Sequence, residues 1–166
     1  MYPDFKELLS TFNAHGVKYL IVGGYAVTFH AQPRATKDLD LFIRPDAENA
    51  KAVFAALAAF GAPLAGLMPA DFLDRDGFFR MGHAPVMIEI LPAIKGVEFD
   101  GAWERRIETV IDADTGLATF MISRDDLIAA KLAAARPQDL ADVDAIRKAV
   151  ESQQPQPAQR PRTEPK

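Results

Sequence analysis

The stretch VGGYAVTFHAQPRATKDLDLFI, residues 22–43, opens on the last residue of the apolar run VKYLIV (17–22), which has the length and branched aliphatic content of a buried strand. Gly23-Gly24 breaks that strand. YAVTFHA then supplies a short apolar helix, which has to end before Pro33 because the residue ahead of a proline is driven out of the helical region. DLDLFI (38–43) is a second strand, in which Asp38 and Asp40 are alternate residues whose side chains leave the same face. Strand, glycine turn, helix and strand in this order bring the N–H groups at the helix start close to the two carboxylates. Helix N-termini attract phosphate, and two ionised carboxylates side by side repel unless a cation compensates them, a role suited to Mg2+ with its oxygen ligands. Taken singly, each motif has a plainer explanation: Gly-Gly as a tight turn, and Asp38 and Asp40 as strand-end residues paired with Arg34 and Lys37.

Upstream, Phe5, Leu8, Leu9 and Phe12 recur at helical spacing behind Asp4 as a cap, with Gly16 as the stop. Downstream, residues 46–60 form the clearest helix, alanine-rich, with Val53, Phe54 and Leu57 on one face and Gly61 at its end. FFRM (78–81) and PVMIEIL (85–91) read as strands turning through 82–85, and 107–111 and 117–121 as strands bracketing the turn DADTG (112–116). Ser123 and Asp126 make a capping box for a helix over 127–135. Pro137 opens a last helix with Leu140, Val143, Ile146 and Val150 on its buried face. This order predicts one α/β (α+β) domain over residues 1–150, a mixed sheet flanked by helices. The remainder, ESQQPQPAQRPRTEPK (151–166), has almost nothing apolar and predicts a disordered Gln/Pro/Arg-rich tail.

Composition narrows the function classes. The 166 residues, 49% hydrophobic and 25% charged, suffice for one domain with its own core. The chain has no cysteine, and His15, His30 and His83 are too scattered for a zinc site, so thiolate chemistry and disulfides are excluded. The longest aliphatic or aromatic run is Tyr19-Leu20-Ile21-Val22, and the start MYPDFKE has no basic head, which predicts a cytoplasmic protein with no membrane partner. A formal net charge of −4 argues against a protein that coats nucleic acid.

Glu89 sits inside the apolar run VMIEIL (86–91), where a buried carboxylate needs a partner; a half-exposed strand with Glu89 facing solvent is the alternative. With Asp38 and Asp40 it makes a set of three carboxylates, enough to hold two metal ions for phosphoryl chemistry. Arg34, Thr36 and Lys37 precede the Asp strand and are placed to steer a triphosphate, with a loop-holding hydroxyl as the other reading of Thr36. Locally, Lys131 is a solvated or snorkelling lysine, and Arg136, Asp139 and Asp142 surround the helix junction as capping or salt-bridging residues, with substrate contact as the third reading. Tyr25 is read as a helix-face residue near the nucleotide, His30 as a helix-end residue and Trp103 as packing.

Hydrophobic-Gly-Gly followed by Arg-x-Thr-x-Asp-hydrophobic-Asp resembles the signature of the polymerase-beta-type nucleotidyltransferase superfamily, and within it the minimal stand-alone group of AbiEii-like toxin nucleotidyltransferases. The later segment ISRDDLIAAKLAAARPQDLADVDAI (122–146), a helix lysine followed by Arg-Pro-x-Asp-x-x-Asp, is similar to that group as well. The resemblance implies that Gly23, Gly24 and Lys131 contact the nucleotide and that Asp38, Asp40 and Glu89 bind two Mg2+ ions, with Mn2+ as a substitute. It further implies transfer of NMP from an NTP such as ATP to an acceptor hydroxyl, with release of pyrophosphate. A tRNA end, a small molecule or a protein are the acceptors to weigh, with an antitoxin as partner in the toxin-like case. A nucleotide-binding or partner-binding module that kept the cleft without turnover is the alternative.

Overall fold

The computed structural model describes residues 1–33 and 35–153; Arg34 and residues 154–166, which include most of the expected tail, lie outside the described residues. The elements are α1 (Pro3–Ala14), β1 (Tyr19–Val22), α2 (Gly23–His30), β2 (Asp38–Ile43), α3 (Ala47–Phe60), a 3₁₀ turn (Pro69–Leu73), β3 (Phe79–His83), β4 (Val86–Leu91), α4 (Phe99–Glu104), β5 (Ile107–Asp112), β6 (Leu117–Met121), α5 (Arg124–Ala134) and α6 (Pro137–Gln153). The six strands form one mixed sheet in the order β3-β4-β2-β1-β6-β5. β1 runs antiparallel to β2 and parallel to β6, and β2 runs parallel to β4. The α/β (α+β) architecture expected from the sequence is the one observed.

β1 is buried along its whole length, and Leu39, Leu41, Phe42 and Ile43 of β2 are buried with it. α1 contributes Phe5, Leu8, Leu9 and Phe12, the helical-spacing residues, and packs on α3 through Ala50, Val53, Ala56 and Leu57. α3 begins at Asp46, whose side chain accepts from Asn49 N at 2.8 Å, and stops at Gly61, which takes the left-handed conformation that closes helices. Among the described residues no helix is long and apolar enough to cross a membrane.

Four local expectations change. The N-cap of α1 is Tyr2, with Asp4 inside the first turn, because Pro3 is accommodated at a first helical position where no N–H is required. The 3₁₀ turn and α4 are further elements, each too short to show a periodicity. In α6 the buried face runs through Asp139, Asp142, Val143 and Ile146, so Leu140 is turned outward at 45% exposure and Val150 is half-buried. The two aspartates claim that face because each answers a buried cation on α5. Finally, α6 continues to Gln153, three residues into the segment expected as tail.

Candidate active site

The strand register lays the acidic residues in one row. Asp40 on β2 stands opposite Val22 on β1 and Glu89 on β4, and Glu89 stands opposite Arg80 on β3. Side chains opposite one another on adjacent strands share a face, so Arg80, Glu89 and Asp40 are successive neighbours, with Asp38 two residues from Asp40 on the same side. These carboxylates floor a cleft of about 560 Å³, within the range of small-molecule sites. Its walls are Val22 and Gly23 at the β1–α2 junction, Ile94 and Lys95 after β4, and Leu127, Lys131 and Arg136 from α5 and the start of α6.

Gly23 is fixed by what faces it. Its φ is +61°, and a Cβ built there would stand 2.7 Å from Asp40 Cγ and overlap the carboxylate itself. Only a residue without a side chain lets Asp40 press against the start of α2. There Asp40 accepts the backbone N–H of Gly24. The expected glycine pair therefore serves the aspartate first: Gly23 gives it room and Gly24 gives it a hydrogen bond.

Asp40 is held in a costly state. Burial, then the charge of Glu89, then that of Asp38, push its carboxyl up to about 6 from 3.8, against the opposing pull of Lys131 and the Gly24 N–H. A half-buried carboxylate between two others is an unmet demand for positive charge, and Asp38 and Asp40 offer the oxygen donors that a divalent cation takes. Glu89 does not join them as it stands. Arg80 Nε donates to Glu89 Oε1 at 2.7 Å and the terminal guanidinium nitrogen bonds the same oxygen. Among the described residues no three His, Cys, Asp or Glu side chains are arranged to hold a metal ion.

Lys131 is 8% exposed, with Nζ 3.0 Å from Asp139 Oδ1 and 2.8 Å from Asp142 Oδ2. Arg136 Nε donates to Asp139 Oδ2 at 2.7 Å. Burial raises the Asp139 carboxyl, but the bonds from Arg136 and Lys131 and their charges outweigh it and hold the group down at about 2. This network ties α5 to α6 along one edge of the cleft, so Lys131 is neither solvated nor snorkelling, and Asp139 and Asp142 are the salt-bridging residues expected.

Thr36 and Lys37 do not line the cleft. The Thr36 hydroxyl donates to Asp38 O at 3.4 Å, the loop-holding role, and Lys37 is exposed. Tyr25 also lies outside it, edge-on to Phe5 at 5.9 Å against the core. The buried residues of α2 are Gly24, Ala26 and Val27, and Tyr25 is half-buried beside α1. His30 bonds Ile122 O through Nε2 at 2.8 Å, and Trp103 stacks on Phe99, as a helix-end and a packing residue should. Lys95 and Arg80 are the cations of the site whose part there the sequence reading missed, whereas Arg136, weighed there for substrate contact, lines the cleft. The first two carry no motif, and their only signal is proximity in sequence to the Glu89 strand.

The family model for nucleotidyltransferase of unknown function (DUF6036) matches residues 4–151, nearly all of the described chain. No curated protein matches it.

Proposed function

The chain belongs to this family of nucleotidyltransferases, and on that premise we propose that it transfers NMP from an NTP to the hydroxyl of an acceptor and releases pyrophosphate. The observation that carries the proposal is Asp40, kept half-buried beside two like charges by a glycine cut to its shape. Such an arrangement is destabilising unless a cation uses it. Mg2+, or Mn2+, held by Asp38 and Asp40 would neutralise charge on the triphosphate and on the leaving pyrophosphate.

The chain's own residues do the rest. Lys95 lines the wall above the carboxylates and draws the triphosphate in against the acidic floor, with Arg136, held by Asp139, beside it. Lys131, locked between Asp139 and Asp142, keeps α5 and α6 at a fixed distance from Asp40 and softens its charge. Glu89 takes the proton of the acceptor hydroxyl as that oxygen bonds the α-phosphorus and the bond from the α-phosphorus to the β-bridging oxygen breaks. Asp38, Asp40 and Glu89 are the catalytic set.

We infer a small-molecule acceptor over a tRNA end. Arg44, Arg75, Arg105 and Arg106 are each paired with a carboxylate of this chain, Asp100, Glu98, Asp126 and Glu108, which leaves them little to offer a polyanion. A toxin-like role with tRNA as acceptor and an antitoxin as partner is the outcome if RNA proves to be modified. The test is pyrophosphate release with each NTP, Mg2+ and fractionated cell extract. Release restricted to the small-molecule fraction supports the proposal. Tight Mg2+–NTP binding with no release in any fraction identifies a binding module without turnover.

A further inference from the structure

The three-carboxylate pattern leads one to expect two divalent ions, and the row on the sheet already places a cation on the third carboxylate. Reading along the register from β1 to β3, the face carries Val22, Asp40, Glu89 and Arg80. A guanidinium thus occupies the position next to the third carboxylate, on the side away from Asp40. Both of its bonds fall on Oε1, and no hydrogen bond to Oε2 is formed among the described residues. Arginine keeps its charge at every pH a folded protein meets, so this compensation is permanent. A dication brought to Glu89 would have to displace it or sit against it, at a repulsive distance.

We propose that Arg80 is a built-in cation of the site, committing Glu89 through Oε1 so that the cleft takes one divalent ion, on Asp38 and Asp40, and not two. Arg80 is then a positioning residue. It holds Glu89 in one orientation with Oε2 open to the acceptor proton, and it supplies at the acceptor side the positive charge that a second ion would bring. The inference rests on the transferase reading above.

The experiment counts bound Mn2+ by electron paramagnetic resonance on the full chain, with a non-hydrolysable NTP present and folding checked by circular dichroism. Wild type is expected to bind one ion, and an Asp38→Ala/Asp40→Ala double variant none. Glu89→Gln is expected to keep one ion with its Kd within about threefold of wild type. Arg80→Gln, which releases Glu89, is expected to bind a second, and Arg80→Lys to stay at one. Two ions in wild type, an ion lost in Glu89→Gln, or a single ion in Arg80→Gln would each overturn the inference while leaving the transferase reading in place. No ion in wild type would overturn both.

Discussion

Gly23→Ala separates the two demands made on that glycine. At φ +61° an alanine carries a left-handed penalty of about 1–2 kcal/mol, which for a chain of this size lowers Tm by about 2–8 °C. The second effect is local. The new Cβ would lie 2.7 Å from Asp40 Cγ, whereas carbon atoms settle at about 3.5 Å or more, so the carboxylate has to retreat by about 1 Å. A misplacement of that size at a reacting centre costs on the order of 100-fold in turnover. Gly16→Ala is the control, because Gly16 has nearly the same φ, +66°, and nothing within 4 Å of its would-be Cβ. Both variants should lose similar stability by thermal denaturation, and only Gly23→Ala should lose NTP-dependent pyrophosphate release. If Gly23→Ala turned over within about threefold of wild type, the contact between glycine and aspartate would not position Asp40 for chemistry.

Two other consequences concern the charges around the cleft. The Asp40 carboxyl is raised to about 6, so its folding contribution is fully favourable only below about pH 4 and is lost as pH rises through 6; Asp40→Asn should stabilise the metal-free protein by about 2–3 kcal/mol at pH 8 and by nothing below pH 4 in urea titrations. Added Mg2+ should stabilise wild type and leave Asp40→Asn unmoved. Lys131→Met removes the buried cation that Asp139 and Asp142 share, with Arg136 still on Asp139, and should cost about 3 kcal/mol, most of it recovered in the triple variant with Asp139→Asn and Asp142→Asn. A Lys131→Met protein of normal stability with a raised KM for NTP would instead make Lys131 a nucleotide contact.

The backbone of this fold was legible because its signals are local. DLDLFI and the alanine-rich helix before Gly61 announce their period and their ends, and the observed β2 and α3 coincide with them, while β1 keeps the last four residues of VKYLIV. The alternation in DLDLFI was enough to put Asp38 and Asp40 on one face. What stayed hidden depends on register and on pairing across the chain. That Arg80 faces Glu89 follows from how β3 aligns with β4, which no residue in FFRM encodes alone. Leu140 looked like a core position by spacing, but the aspartates one residue before and two after it are drawn inward by Lys131, and the helix turns accordingly. The glycine pair was legible as a strand-to-helix turn, and the structure adds a use that the sequence did not carry: the φ of Gly23 and its lack of a side chain make room for Asp40, a contact that only the packing of α2 against β2 creates. Lys95 has no period and no motif, and it becomes a site residue only through the turn that follows β4.

The most direct test of the central claim is which phosphorus moves. Wild type and the Asp38→Ala/Asp40→Ala variant are incubated with Mg2+ and cell extract in the presence of NTPs labelled at either the α- or the γ-phosphorus, and the label is followed into RNA, protein and small molecules. Nucleotidyl transfer predicts α-label on the acceptor, γ-label only in pyrophosphate, and neither with the double variant. Label carried over from the γ-position, or α-label transferred equally well without the two aspartates, would contradict it.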